Sequence, residues 1–220
     1  MTRPEFLSAV YLKSTGKPTA PTSGRKYDQI LALGTFYTRQ WQDENDVDWD
    51  SLFDFFNVSG TVTATDEFTI PATVRKVSQQ EGDVVRIVRT DGDVTEYQLV
   101  APDRLYENRY EYAVAKIGSQ LKFASAFTAT SREFGGTIVV PGYGFAVFPT
   151  DDSTAIPVDN PDWLVVRVAS EFVRTDITRQ NQYPNLLNEA NQLMLKMREN
   201  NSGRSDEIYR PTFLLDDQEW

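Results

Sequence analysis

The chain has 220 residues, of which 40% are hydrophobic and 12% aromatic, a composition that can build a folded core and is too apolar for a disordered chain. Lys and Arg total 22 and Asp and Glu total 32, so the formal charge is −10, which argues against a general nucleic-acid-binding protein. The sequence has no His and no Cys, which excludes disulfides, zinc sites built on thiolate or imidazole, and His-dependent nucleophilic triads.

The first part of the chain has the periodicity of helices. Residues three and four apart predict one face of a first short helix: Phe6, Leu7, Val10 and Tyr11. The same spacing predicts a second, longer helix: Tyr27, Ile30, Leu31, Gly34, Tyr37 and Trp41. Residues 14–26 are punctuated by Gly and Pro and are predicted to be an ordered linker. A third short helix is predicted to start near Trp49 and to carry Leu52, Phe53 and Phe56.

From residue 57 to about residue 150 the hydrophobic period changes to two, as in strands. The Asp91-Gly92 pair between two alternating runs predicts a hairpin with a two-residue type I′ turn. That turn would place Val84, Arg86 and Val88 on one face of the hairpin. Further strands are predicted over residues 58–70, 112–117, 120–123, 136–140 and 143–148. Together they indicate an antiparallel β unit, either a small sandwich or an open barrel.

Helical periodicity returns at Asn160, which is predicted to cap a helix whose first-turn residue is Pro161. This helix is predicted to be the most deeply buried because it carries a broad apolar stripe: Trp163, Leu164, Val166, Val168, Ala169, Phe172 and Val173. Pro184 is predicted to open one more helix, and Gly203 to end it. The apolar face of that last helix is formed by Leu186, Leu187, Ala190, Leu193, Met194 and Met197.

Residues 204–220 have no clear period and carry five acids against two arginines. They still hold large apolar side chains: Tyr209, Phe213, Leu214, Leu215 and Trp220. Because such side chains are costly to leave in water, the segment is expected to be covered. Two interpretations stay open: a strap lying on the protein's own surface, and an extended arm that docks on another subunit.

The predicted fold class is α+β. Residues 1–56 and 157–203 are predicted to form an α-helical bundle scaffold, and residues 57–150 an inserted antiparallel β domain. Residues 204–220 are predicted to form an extended C-terminal arm. Pairing of the first and last segments of a chain is usual in domains that host an insertion.

The densest acidic cluster, between Asp43 and Asp54, invites a calcium interpretation because Asp46-x-Asp48-x-Asp50 begins like an EF-hand loop. Ser51 stands where that loop needs Gly, and Asn57 where it needs a bidentate Glu. We therefore expect an acidic loop that caps the third helix.

Pairs such as Asp66–Glu67 and Asp151–Asp152 could do acid–base work, although catalysis depends on how far apart two carboxylates lie in the folded protein and not on their spacing in the sequence. No catalytic residue, metal or cofactor is predicted.

Three helical segments resemble head-to-tail connector (adaptor) proteins of tailed bacteriophages. In residues 26–54, the pattern Tyr27-x-x-Ile30-Leu31 with Trp41 and Asp48-Trp49-x-Ser51-Leu52-Phe53 resembles their N-terminal part. The run WLVVRVASEFVR over residues 163–174 resembles their long C-terminal helix. The run LLNEANQLMLKM over residues 186–197 is similar to the second arm of their helix pair. The resemblance covers under half of the chain and does not include the β unit.

What the resemblance implies is a non-enzymatic structural protein of the virion neck, made in the host cytoplasm. Such connectors form a ring of identical copies, usually twelve, beneath the portal protein, and DNA passes through its centre without specific binding. Their C-terminal arms contact the portal, which would give Tyr209, Phe213, Leu214, Leu215 and Trp220 the role of docking residues. Downstream tail or nozzle proteins would be the other partners. An acidic lumen would repel phosphates, so that the DNA slides.

Two alternatives remain open from the sequence. One is a tail or baseplate component whose β domain binds another tail protein or a surface glycan. The other is a carboxylate-based glycosidase of the virion.

No apolar window approaches the length of a transmembrane helix, and the apolar patch near the N-terminus is shorter than that of a signal peptide. We therefore expect a soluble protein that has no membrane partner and stays where it is made.

Overall fold

A computed structural model describes residues 1–44, 47–58, 60–78, 83–107 and 112–201. Within these ranges the fold is α+β, with four α-helices and one mixed sheet of eight strands, which confirms the predicted fold class. The helices are α1 (Arg3–Thr15), α2 (Arg25–Gln42), α3 (Pro161–Thr175) and α4 (Tyr183–Asn201). The strands are β1 (Phe53–Asn57), β2 (Glu67–Thr69), β3 (Val74–Val77), β4 (Val84–Val88), β5 (Val94–Val100), β6 (Ala113–Ile117), β7 (Gln120–Phe123) and β8 (Thr137–Gly144).

The helices form where local signals and a buried face agree. The Thr2 N–H donates to Glu5 Oε2 at 2.7 Å at the start of α1, and Gly16 ends that helix with a φ of 73°. The Asn160 side chain accepts the Asp162 N–H at 3.1 Å, which confirms the predicted cap of α3. Helix α3 packs against α1, α2 and α4 and buries its apolar stripe on all of them. Gly203, the predicted end of α4, lies outside the described residues.

The third predicted helix is wrong. Residues 50–52 form a single 3₁₀ turn, and Phe53–Asn57 then runs as strand β1, antiparallel to β8. The ring of Phe53 lies 5.5 Å from that of Tyr143 on β8, in an edge-to-face contact. A run so rich in aromatic residues fits a half-buried strand at least as well as a helix, and the partner strand decides between them.

The sheet has the order β1-β8-β4-β5-β6-β7-β2, and β3 also pairs with β8. The predicted antiparallel arrangement is wrong at one place, because β5 and β6 are parallel, with Leu99 opposite Val114. A parallel pair needs a crossover connection of about a dozen residues. The connection after Val100 is of that length and contains the 3₁₀ turn Pro102–Arg104 and the buried Leu105. The strand predicted over residues 58–70 is reduced to β2, and β3 is an additional strand.

The β4–β5 hairpin exists, but its predicted turn is one residue too short. The Gly92 N–H donates to the Arg89 carbonyl, and the Arg89 N–H to the Asp93 carbonyl, so the loop has three residues ending at Gly92. Gly92 has a φ of 91°, which a residue without Cβ adopts readily. The longer loop shifts the register by one residue, so that each residue of β4 lies opposite a different residue of β5 than the predicted one. Val85 thus lies opposite Tyr97, and Val85 and Ile87 are the buried residues of β4.

In place of the two strands predicted over residues 136–140 and 143–148, one strand, β8, continues through Pro141 and ends at Gly144, so that residues 145–148 lie outside it. Pro141 lies opposite Phe55 of β1, and its carbonyl accepts the Ser78 N–H at 3.0 Å from the other side. A Cβ on Gly142 would lie 2.7 Å from the Lys76 carbonyl oxygen, so only Gly allows β3 to approach this closely. Gly and Pro here permit close strand pairing where the sequence suggested a turn.

Two large clusters of buried side chains form the core. The sheet curls around one of them, which contains Val85, Ile87, Tyr97, Leu121 and Phe123. The other lies among the helices and includes residues from the end of β8 and the segment after it: Tyr143, Ala146 and Phe148. The continuation of β8 is thus the physical connection between the sheet and the helices.

We expect Gly142→Ala to lower the free energy of unfolding by about 1–3 kcal/mol, because the new methyl group meets backbone that cannot rotate away. Gly144→Ala is the matched control in the same strand, since its Cβ would come no closer to backbone than 3.8 Å and would meet the ring of Phe56 at 3.3 Å. Urea unfolding of the two variants checks the difference. Equal losses of stability would contradict the close approach of β3 to β8.

Candidate functional site

The docking residues predicted from the sequence, Tyr209, Phe213, Leu214, Leu215 and Trp220, lie outside the described residues. The described part of the chain does fix the point from which that segment starts. Asn201, the last residue of α4, accepts the Asp50 N–H at 2.8 Å through Oδ1. Its Nδ2 donates to the Asp48 carbonyl, also at 2.8 Å. The side chain of Asn201 therefore ties the end of α4 to the loop before β1.

Two basic residues of strand β3 lie beside the acidic cluster in that loop. Lys76 Nζ lies 2.6 Å from Asp48 Oδ2, and Arg75 lies within 4 Å of both Asp43 and Asp48. Across the described ranges, no three carboxylates lie close enough together to hold a metal ion. Asp46, the first residue of the calcium-like spacing, is outside those ranges. The loop precedes a 3₁₀ turn and a strand, so the expected cap of a third helix is wrong.

The two carboxylate pairs singled out in the sequence make structural contacts. Asp151 accepts hydrogen bonds from the side chains and backbone N–H groups of Thr154 and Ser153, which hold the pKa of its carboxyl well below its usual range. Asp152 pairs with Arg3 at 2.6 Å. Glu67 and Asp66 both face Lys122, with 2.8 Å from Glu67 Oε1 to the Lys122 ammonium. A carboxyl with a lowered pKa, like that of Asp151, is poorly matched to proton transfer at neutral pH.

An open groove of about 820 Å³ lies between α2 and residues 145–150. Phe145 and Val147 are 52% and 68% exposed beside it, while the alternate residues Ala146 and Phe148 are buried. Phe36 on α2 is also more than half exposed. Gln42 fixes one wall, because its Oε1 accepts the Ala146 N–H at 2.7 Å. We call this the α2 groove, and its exposed apolar side chains make it a candidate contact surface.

A second groove, of about 490 Å³, runs between α1 and α4 over α3. Its apolar lining consists of Ala9, Leu12, Val165, Val166 and Leu193. Lys13 and Glu189, which form an ion pair of 2.6 Å, bridge it from α1 to α4. We call this the α1/α4 groove. Leu12 at its rim is 51% exposed, so the groove presents apolar surface to the outside.

The end of the helical part next to this groove is basic. The Arg179 guanidinium donates to the Ser14 carbonyl at 3.0 Å, which joins the α3–α4 connection to the end of α1. Hydrogen bonds from Thr178 are the main reason why the pKa of Asp176 is lowered, and Lys26 lies close enough to contribute to the shift. Three exposed cations in this region make no ion pair with any described residue: Lys17, Arg25 and Lys26. We call Lys17, Arg25, Lys26 and Arg179 the basic tip.

Sequence reasoning missed both grooves and the basic tip. One signal for the α2 groove was present, because the run Phe145–Phe148 reads as a strand that exposes Phe145 and Val147. The basic tip was visible in part, since residues 14–27 contain Lys17, Arg25 and Lys26 and no acid. The contribution of Arg179 is a tertiary contact and has no sequence signal.

We expect Asn201→Ala to speed hydrogen exchange at the Asp50 amide by about tenfold, because that N–H loses its acceptor. Asn200→Ala is the control, since the side chain of Asn200 is exposed and makes no hydrogen bond within the described ranges. Exchange followed by NMR or mass spectrometry measures the difference. Unchanged protection at Asp50 in the Asn201 variant would show that the end of α4 is not held by this contact.

No protein-family model matches the chain, and none of the curated proteins compared with it is a significant match. Among the described residues, no helix has both the length and the apolar character needed to cross a bilayer. Candidate functions therefore rest on the residues and surfaces of the molecule itself.

Proposed function

We propose that this chain is a non-enzymatic head-to-tail adaptor of a virion neck. Copies of it form a ring that docks on a portal protein and joins it to downstream tail proteins, while double-stranded DNA passes through the lumen. The proposal is supported by the three segments that resemble phage connectors, which fall largely within α2, α3 and α4. In this proposal the helices from the two ends of the chain are the scaffold, and residues 57–150 are a β domain inserted into it.

Contacts between distant parts of the chain support a helical scaffold. The guanidinium of Arg167 on α3 lies 4.4 Å from the ring centre of Tyr37 on α2, a favourable cation–π distance. Burial of Tyr37 there raises the pKa of its hydroxyl. The Lys13–Glu189 ion pair joins α1 to α4 across the α1/α4 groove. The first and last helices thus contact each other directly, as the proposed scaffold requires.

The α2 groove is the observation that carries the ring. A closed ring of identical copies needs a heterologous contact, in which one patch of a copy fits a different patch of the next. The α2 groove supplies a concave apolar patch of that kind, with Phe145 and Val147 at its edge and Arg39 and Asp43 to fix orientation. Burying two such large side chains contributes about 1.5–3 kcal/mol each, which is substantial for a contact repeated around a ring.

The remaining roles follow from the start of the arm and from the charge. The tie between Asn201 and Asp48 gives residues 202–220 a fixed origin beside the helices. From there Tyr209, Phe213, Leu214, Leu215 and Trp220 dock on the portal, where their apolar surface is buried. The formal charge of −10 suits a channel through which DNA moves without adhesion.

We expect Phe145→Asp with Val147→Asp to prevent ring formation, because two carboxylates would have to be buried in the contact. Size-exclusion chromatography with light scattering, with and without the portal protein, measures the assembly. The matched control is Val94→Asp with Ile117→Asp, which changes two exposed apolar residues of the sheet that do not line the groove. Rings that form equally well from both variants would contradict this use of the α2 groove.

We expect truncation after Gly203 to abolish binding to the portal encoded by the same phage. The full-length variant with Phe213, Leu214 and Leu215 all changed to Ser should lose most of the affinity, because the apolar anchors are gone. Co-sedimentation with purified portal rings measures binding. The control changes three polar positions of the same segment to Ala, namely Ser205, Thr212 and Gln218. Portal binding that survives truncation would rule out the docking arm.

A further inference from the structure

We propose that the C-terminal segment, residues 204–220, binds back on its own chain, with its apolar residues in the α1/α4 groove and its acids on the basic tip. This inference concerns the free protein and needs neither a ring nor a portal. A single peptide segment that is both acidic and apolar would then cover the basic tip and the adjoining groove.

Charge complementarity is the first reason. Lys17, Arg25 and Lys26 are exposed and make no ion pair with another described residue, although Lys26 lies near the carboxyl of Asp176. Cations in a strongly acidic chain ordinarily find carboxylates nearby, as Lys76 and Lys122 do on the sheet. The C-terminal segment carries five acids against two arginines, and three of the acids, Asp216, Asp217 and Glu219, fall in its last five residues.

The apolar surface beside the tip is the second reason. Ile177, in the connection between α3 and α4, is 92% exposed, the most of any large apolar residue described. Leu12 at the rim of the α1/α4 groove is half exposed as well. A purely ionic partner would leave this surface uncovered, and a purely apolar one would leave the cations unpaired. The run Phe213-Leu214-Leu215-Asp216-Asp217 offers both kinds of group in consecutive residues.

The third reason is reach and direction. The segment leaves from Asn201, at the end of α4 opposite to the basic tip. The 19 residues of α4 span about 28 Å, so the segment must run back along α4 to meet the tip. Extended chain covers about 3.3 Å per residue, so the residues up to Leu214 reach about 40 Å, enough to cross the groove. The apolar residues then pass the groove first, and the terminal acids arrive at the tip.

The full-length chain allows a direct test because it has no Cys of its own. Gln218→Cys places a single attachment point for a nitroxide spin label without changing the charge of the segment. We expect the backbone NMR signals of Lys17, Lys26 and Ile177 to lose most of their intensity when the label is paramagnetic. Signals of the hairpin tip at Gly92, on the sheet, serve as internal reference.

Changes of salt concentration and of charge test whether electrostatic attraction causes the broadening. Raising the salt from 0.15 M to 1 M shortens the Debye length from about 8 Å to about 3 Å, so the broadening at the tip should weaken. Reversal of Lys17, Arg25 and Lys26 to Glu should abolish it. Reversal of Arg104, Lys116 and Arg132 to Glu, an equal change of charge on β6 and the connections between strands, should leave it intact. The spectra themselves show whether each variant is folded, because unaffected regions keep their signals.

Three outcomes would overturn the proposal. The first is an absence of broadening at Lys17 and Ile177 in a folded, labelled protein. The second is broadening that appears only when labelled and isotope-enriched copies are mixed, because the occupant is then a second copy. The third is a tip whose signals shift with a short DNA duplex while the label has no effect on them, because the tip then binds phosphate. None of these measurements involves a portal, so their failure is distinct from failure of the proposed adaptor function.

Discussion

The stacking of Trp41 on Trp49 is the contact on which the rest of the structure depends. Both side chains are fully buried, their ring centroids are 4.9 Å apart, and the Trp49 Nε1–H donates to the Trp41 carbonyl at 2.8 Å. Trp41 is one residue from the end of α2, and Trp49 directly precedes the 3₁₀ turn that leads into β1. The pair therefore reverses the chain at the point where it passes from helix to sheet. It thereby brings the start of β1 next to the end of α2.

That reversal sets the position of the candidate contact surfaces. Because residues 48–50 are held against Trp41, the side chain of Asn201 finds the Asp48 carbonyl and the Asp50 N–H, and the origin of the C-terminal segment is fixed. Two turns before Trp41 on the same face of α2, Gly34 has no Cβ, which lets the ring of Phe148 approach to a distance a side chain would not allow. Phe148 is thereby buried, while its alternate neighbours Phe145 and Val147 face outward. The α2 groove is thus a direct product of how closely α2 packs.

The helices could be predicted from the sequence because each buries a stripe with a period near 3.6 and because Asn160 and Gly16 mark a start and an end. The strand pairing could not be predicted, because it depends on partners far away in the chain. Phe53–Phe56 has no local preference strong enough to choose between helix and strand until β8 pairs with it. Judged from the local sequence alone, Pro141 and Gly142 indicate a turn. Strand β8 nevertheless continues through them, because β1 and β3 pair with it there. In the hairpin, one additional loop residue is enough to change which residues of β4 and β5 lie opposite each other.

The charge of the molecule has to be considered locally. A formal charge of −10 describes long-range repulsion of phosphates, and it is compatible with a DNA channel that does not adhere. At contact distance, however, screening limits each charge to neighbours within about 8 Å at physiological ionic strength. At that range the basic tip presents Lys17, Arg25 and Lys26 to any approaching group, and the net charge of the whole chain has little effect. The two proposals are therefore compatible, because local cations at the tip would bind the acids of the last residues while the net negative charge of the chain would keep DNA from adhering.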